Sequence, residues 1–267
     1  TWPVATVGWV TSIAQQAEAS QKRINEFLSA QSSVKNISNK KTEIEGKIEF
    51  KNIEFVYPET NINALKNVSF SVNRGDSLAI MGDIGSGKTT VLELLCRIYD
   101  PSNGKILIDD LNIKRVNIED LRNSLGYVPQ STFLFSETIN KNIKFGNENA
   151  SKDEVEDAAN KVCLSDEIKL FKNGYNTLLG ERGVNLSGGQ KQRLAIARAI
   201  IKKPKILILD DSLSAVDTET EEIILSSINK VSKEITLLIA THRISTAKNC
   251  NKILILENGK VIEYGSH

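Results

Sequence analysis

The chain has 267 residues, 40% of them hydrophobic and 25% charged, with a formal net charge of +1. This is ordinary globular composition for one large domain or two small ones, and so balanced a charge gives no reason to expect a nucleic-acid partner. Cys96, Cys163 and Cys250 are far apart, odd in number and without metal-type spacing, which fits reduced thiols in a cytosolic compartment.

Residue 1 is Thr, and no charged, apolar and cleavable leader follows, so the chain reads as a piece of a longer protein with no signal peptide. Residues 1–30 predict one helix after Pro3, with Val10, Ile13, Ala14, Ala17, Ile24, Phe27 and Leu28 on one stripe. Its first ten residues are mostly apolar and carry Trp2 and Trp9; Lys22 and Arg23 come later. That gradient fits the cytosolic end of a transmembrane helix, although the apolar part is too short to span a bilayer alone. An amphipathic helix packed on the domain is the other reading. Residues 31–46 turn polar and read as a linker.

Lys47 to Tyr57 alternates at Ile48, Phe50, Ile53 and Phe55, and the next strand alternates at Val68, Phe70 and Val72. Both predict an antiparallel sheet. Then Ser77 to Met81 is a short apolar run, followed by Gly82-Asp83-Ile84-Gly85-Ser86-Gly87-Lys88-Thr89-Thr90 and a helical pattern at Val91, Leu94, Leu95 and Ile98. Strand, glycine loop and helix make this a phosphate loop. The glycines let backbone N–H groups turn inward at close range, and the helix start adds free N–H groups and a positive dipole end. Lys88 brings a full charge to the outer phosphates, and the Thr89 hydroxyl is a candidate Mg²⁺ ligand.

Lys105 to Ile108 predicts a strand, Ile118–Asn123 a short helix, and Gly126 to Gln130 a brief strand with Gln130 at its end. Residues 131–185 lose strand character and open a helical subdomain that extends to about residue 201. Ser187 and Gln190, three apart at the start of a helix, have capping-box spacing. Ile206 to Leu209 and Thr236 to Ala240 are unbroken apolar runs, as strands buried on both faces should be. Glu219 to Val231 is helical. Asn258-Gly259 joins a closing hairpin of Lys252–Leu256 and Val261–Tyr264. Alternating strands and helices imply a parallel sheet whose sites lie at the strands' C-terminal ends.

Gln130, Asp210, Asp211 and His242 stand at such ends. Asp210 has the pattern of a carboxylate that orders Mg²⁺ opposite a phosphate loop; a helix N-cap is its structural alternative. Asp211 is placed to accept a proton from a water or to orient it, or else to cap. His242 joins the same layer, and Gln130 has the chemistry to ligate Mg²⁺ or hold water.

At Leu186-Ser187-Gly188-Gly189-Gln190 the sequence resembles the nucleotide-binding domain of ABC transporters of the exporter type, from about residue 46 onward. The resemblance implies an α/β fold. A P-loop NTPase (RecA-like) core carries an antiparallel β subdomain and an inserted helical subdomain, and an N-terminal helix precedes them. It makes Tyr57 the aromatic that stacks on adenine and Gln130 the Q-loop glutamine. Asp210 becomes the Walker B aspartate, Ser214 to Asp217 the D-loop and His242 the switch histidine. Thr177 to Gly183 looks like the exporters' extra loop, and residues 1–30 look like the end of the last transmembrane helix.

ATP and Mg²⁺ are the implied ligands. Gly82, Asp83, Gly85, Ser86, Gly87, Lys88, Thr89 and Thr90 would hold the chain's own ATP, with Thr89, Gln130 and Asp210 on the metal. Lys88, Gln130, Asp211 and His242 would serve catalysis. Ser187, Gly188, Gly189, Gln190 and Asp217 would close a partner's ATP in a head-to-tail dimer. The implied partners are a transmembrane domain on the same full-length chain and a second ABC subunit, at the cytoplasmic face of the membrane. A soluble ABC ATPase acting on nucleic acid or ribosomes, or a regulatory ATP-binding subunit, are the competing readings; neither a coiled-coil insertion nor a basic arm favours the former.

One residue departs from the family. Asp211 stands where Glu is usual, and its carboxylate is withdrawn by about 1.5 Å, one C–C bond. Misplacing a catalytic group by about 1 Å can cost roughly a hundredfold in rate. The departure resembles heterodimeric exporters with one slow site, and the heterodimer is favoured here over a homodimer in which Asp211 is a slower base.

Overall fold

In the computed structural model the described residues are 2–29, 32–38, 40–231 and 235–266. They fall into two units, residues 1–35 and 36–267. The first holds a single 28-residue helix, α1 (Trp2–Ser29), exposed along its whole length. Among the described residues no helix is long and apolar enough to cross a membrane.

Of the stretch read as a linker, residues from 36 onward belong to the second unit. Thr42 N donates to the Asp120 carboxylate at 2.8 Å, and Glu45 N and Lys47 N each donate to Asp109 at 2.8 Å. Ile44 is buried.

The second unit is built on two sheets. The smaller is antiparallel, in the order β2-β1-β4-β5: β1 is Ile48–Val56, β2 Asn63–Val72, β4 Asn103–Ile108 and β5 Leu111–Asn112. The larger runs β10-β9-β3-β8-β7-β6, with β3 Ser77–Met81, β6 Leu125–Val128, β7 Ile206–Asp210, β8 Thr236–Thr241, β9 Lys252–Glu257 and β10 Lys260–Gly265. All its neighbours are parallel except the closing pair, β9 and β10. That pair turns through Asn258 (φ 50°) and Gly259 (φ 77°), two consecutive left-handed residues as a primed hairpin turn requires.

Every residue of β7 and β8 is buried, which explains their unbroken apolar sequences. Their side chains alternate between two cores. Ala79, Leu207, Leu209, Leu237 and Ile239 join one, with the helices of the helical subdomain. Leu78, Ile80, Ile206, Ile208, Leu238 and Ala240 join the other, with the small sheet. That second core also takes Val91, Leu92, Leu94 and Leu95 of α2 (Lys88–Leu95).

α3 (Ile118–Ser124) is capped by Asn117 and leads into β6. The helical subdomain holds α4 (Ile139–Lys144), α5 (Lys152–Lys161), α6 (Ser165–Leu170) and α7 (Gly188–Ile200). α8 is Thr218–Val231 and α9 is Ile244–Lys248. Three details differ from the sequence reading. β6 stops at Val128, so Gln130 lies two residues beyond the strand rather than at its end. The strand expected at Lys105 begins at Asn103 and pairs with β1 in the small sheet. The single turn and a half of α9 was not expected, because five residues carry too little periodicity to reveal it.

Candidate active site

The glycine loop links the C-terminal end of β3 to the start of α2, at the edge where β7 and β8 also end. Two of its glycines are required by close approach. A Cβ on Gly82, at φ 152°, would lie 2.2 Å from Leu256 O, and one on Gly87, at φ 104°, would lie 2.8 Å from Leu65 Cδ2. Gly87 is also the N-cap of α2 and supplies no side-chain cap, so the helix start keeps its N–H groups for another acceptor. Lys88 folds its ammonium under the loop, donating to Gly82 O at 2.7 Å and Asp83 O at 2.8 Å. Asp83 and Gly85 are exposed at the loop tip, and Ser86 is buried with no hydrogen-bond partner on its hydroxyl.

The Thr89 hydroxyl donates to Asp210 Oδ1 at 3.3 Å. Asp210 is only 3% exposed, and Tyr127 OH reaches its other oxygen at 3.5 Å. Burial pushes the Asp210 carboxyl above its usual range, and Asp211 adds to the rise, while the Thr89 hydrogen bond opposes it. A buried carboxylate facing a hydroxyl is a hard-oxygen donor pair suited to Mg²⁺. Among the described residues there is no cluster of three or more His, Cys, Asp or Glu placed to hold a metal.

Asp211 follows at φ 46°, a left-handed conformation that Asp tolerates better than most residues. Its N–H continues the β7–β8 ladder to Ala240 O at 2.9 Å. Its carboxylate is held on both oxygens, by His242 Nδ1 at 3.1 Å and by Gln130 Nε2 at 3.5 Å. The His242 side chain is 63% exposed, and Gln130 is exposed. Of the four polar groups expected at strand ends, Gln130 and His242 meet at Asp211, and Asp210 meets Thr89.

Tyr57 follows the end of β1 and packs edge-on against Phe55 and Tyr99. Its hydroxyl is 2.9 Å from Thr90 Oγ1 and donates to Glu93 Oε2 at 3.0 Å. Thr90 is buried, so its hydroxyl faces Tyr57 from within the fold. Tyr57, Asn63, Lys88, Thr89 and Gly259 line one cleft of about 420 Å³. That size falls within the usual range for a small-ligand site.

A second set of groups lies at the start of α7. The capping box forms as its spacing predicted: Gln190 N donates to Ser187 Oγ at 3.2 Å, and Ser187 N to Gln190 Oε1 at 2.9 Å. Ser187 and Gly188 are exposed, and Gly189 is half-buried. Gln190 is steadied by Glu167 Oε2 at 2.7 Å, and Glu167 pairs with Arg193 at 2.6 Å. Asp217 is exposed and caps α8, accepting from Thr220 N at 2.9 Å. Those bonds hold its carboxyl below the usual range.

Sequence reasoning missed Glu93, Tyr127 and Glu167, whose spacing carried no signal.

A family model for the ABC transporter matches residues 65–214, more than half of the chain. YfiB of Bacillus subtilis (strain 168), named an uncharacterized ABC transporter ATP-binding protein, is 47% identical over 255 residues, covering 96% of this chain and 44% of its own length. YgaD of the same species, provisionally named a multidrug export ATP-binding/permease protein, is 42% identical over 254 residues, with 94% and 44% covered. The solved structure of a bacterial Atm1-family ABC exporter with ATP bound superposes with a TM-score of 0.89 at 39% identity, covering 95% of this chain and 44% of that one. This chain thus spans less than half the length of these three relatives. The family model's match over more than half of the chain shows that the chain belongs to the ABC transporter family, as its nucleotide-binding domain.

Proposed function

We propose that this chain is the ATP-binding and ATP-hydrolysing motor of an exporter, working at the cytoplasmic face of a membrane and joined to a transmembrane domain. α1, with Trp2, Val4, Val7, Trp9 and Val10 exposed toward its start, is read as the end of that domain's last membrane helix, and residues 31–46 as the connection. The observation that carries the reading is the 3.3 Å approach of Thr89 to Asp210 at the mouth of the glycine loop.

ATP would lie along the loop with its adenine on Tyr57. Lys88, which now bridges Gly82 O and Asp83 O, would swing its ammonium to the outer phosphates. Thr89, Asp210 and Gln130 would hold Mg²⁺, whose chemistry is to neutralise charge on the β- and γ-phosphate oxygens. Asp211 would orient or deprotonate the attacking water, and His242, tethered to Asp211, would face the γ-phosphate. Ser187 to Gln190 and Asp217 would close over the ATP of a second subunit, because a helix start with exposed N–H groups suits phosphate contacts. Two ATP molecules would then hold a head-to-tail dimer, and hydrolysis would release it.

Asp211 supports a finer reading. Its short carboxylate is already occupied by His242 and Gln130, so it would serve the chain's own ATP as a weak base. The signature end would complete an active site on a different partner. The test is ATP turnover of the full-length transporter alone and with candidate partner chains, with Lys88→Ala in each. A self-sufficient homodimer at full rate rejects the weak-site reading. A transporter that neither binds nor hydrolyses ATP rejects the motor itself.

A further inference from the structure

The side-chain amide of Gln190 has two unlike ends, and the fold uses both. Its Oε1 accepts from Ser187 N at 2.9 Å, and its Nε2 donates to Glu167 Oε2 at 2.7 Å. A carboxylate can only accept, and a main-chain N–H can only donate. Glu167 and Ser187 N together therefore fix which way round the amide sits. Glu167 of α6 is held in its turn. Its Oε1 lies 2.6 Å from Arg193 Nη1, and that nitrogen also donates to Cys163 O at 2.5 Å. The Arg193 side chain is only 11% exposed, so this charge-assisted contact is sheltered as well as directional.

The way the amide sits decides which donors of α7 stay free. The first N–H groups of a helix have no partner inside it. Here Ser187 N goes to Gln190 Oε1, and Gln190 N goes to Ser187 Oγ at 3.2 Å. Lys191 N already reaches Ser187 O at 3.0 Å. Gly188 N and Gly189 N are left over, with no acceptor among the described residues. The Ser187 hydroxyl accepts within the box and still has a proton to donate. With the amide reversed, Gln190 Nε2 would face Ser187 N, donor against donor, and the box would open.

We propose that Glu167 is a positioning residue for the Ser187–Gln190 helix start. It orients the Gln190 amide, which keeps the capping box closed and leaves Ser187 Oγ, Gly188 N and Gly189 N available together. The proposal rests on the motor reading above, in which this helix start closes over the ATP of a second subunit. Glu167 itself touches no phosphate and acts through Gln190.

Glu167→Gln is the sharp variant, because it keeps the shape and removes only the charge. Arg193 retains the one oxygen that remains, so the new NH₂ group meets Gln190, whose amide must turn over to accept from it. Glu167→Asp keeps an acceptor-only group but is one methylene shorter. Both are studied in the full-length transporter in lipid vesicles, in the assembly that hydrolyses ATP. The readouts are hydrogen exchange over Leu186–Gln190 without nucleotide, and ATP hydrolysis over a range of ATP concentrations, with Tm alongside.

We expect Glu167→Gln to speed exchange there about tenfold, the worth of one hydrogen bond. Its kcat should fall about tenfold or more, in line with the cost of a misplaced site. KM for ATP should stay within about threefold, because the chain's own phosphate loop is untouched. Tm should stay within a few degrees, because the Glu167 side chain is 37% exposed. Glu167→Asp should fall between Glu167→Gln and the wild type in both readouts, although Gln is the closer match in shape. Unchanged exchange or wild-type kcat in Glu167→Gln overturns the proposal, as does a Glu167→Asp variant that is the worse of the two. A wild-type transporter that neither binds nor hydrolyses ATP refutes the motor reading and the positioning role with it; an active wild type with an indifferent Glu167→Gln variant refutes the positioning role alone.

Discussion

Asp211→Glu is the most informative single change. The native carboxylate sits between His242 Nδ1 at 3.1 Å and Gln130 Nε2 at 3.5 Å. One added methylene advances it by about 1.5 Å, enough to leave that bracket and reach farther toward the phosphates. If about 1 Å of misplacement is worth roughly a hundredfold, the variant gains up to about 2.7 kcal/mol of transition-state stabilisation at this chain's site. A smaller penalty opposes it. Residue 211 is left-handed at φ 46°, and Glu lacks the short side chain that lets Asp settle there, a cost of about 1 kcal/mol in stability. The assay is phosphate release at saturating ATP by the full-length transporter purified without any other ABC subunit, so that no partner's site contributes, with Tm measured alongside. The reasoning predicts a rise in kcat of tenfold to a hundredfold with a slightly lower Tm. An unchanged or lower kcat in a folded variant would show that Asp211 does not limit turnover.

Three further outcomes follow from the geometry. Tyr57→Phe keeps the ring and loses the Thr90 and Glu93 contacts; ATP affinity by fluorescence titration should hold within about threefold, whereas Tyr57→Ala should lose about 1–3 kcal/mol of base stacking. Asp217→Ala should lower Tm at pH 7, and Asp217→Asn, still a cap but without the charge, should lower it less. Since the Asp217 pKa is depressed below 3.8 in the folded state, its charged cap stabilises above that value and is lost as pH falls through the folded pKa. The Tm gap of the Ala variant should therefore narrow in acid. Burial pushes the thiols of Cys96 to about 12 and Cys250 to about 11, so at pH 8 a maleimide should label half-buried Cys163 first and the other two only on unfolding.

Local features were legible in the sequence. The glycine loop between an apolar strand and an amphipathic helix, the Ser187–Gln190 capping box and the unbroken strands at 206 and 236 each depend on residues close together in the chain. Each appears where its pattern placed it. The place of Asp210 at the end of a buried strand was legible for the same reason. What escaped was set by partners far along the chain. The pairing of β4 with β1 rather than with the large sheet depends on topology, and alternation says nothing of partners. The hold of Glu221 and Arg243 on the 214–217 loop joins residues over twenty positions apart, and Tyr127 reaches Asp210 across 83 positions. No spacing rule reaches that far.

The central claim is that Thr89 and Asp210 together hold the magnesium of a bound nucleotide. The direct measurement is ATP affinity of the full-length transporter, by titration calorimetry with Mg²⁺ and again in chelator, for the wild type and Asp210→Asn. The account predicts that Mg²⁺ tightens ATP binding in the wild type and that this gain disappears in Asp210→Asn. The same Mg²⁺ dependence in both proteins would contradict it.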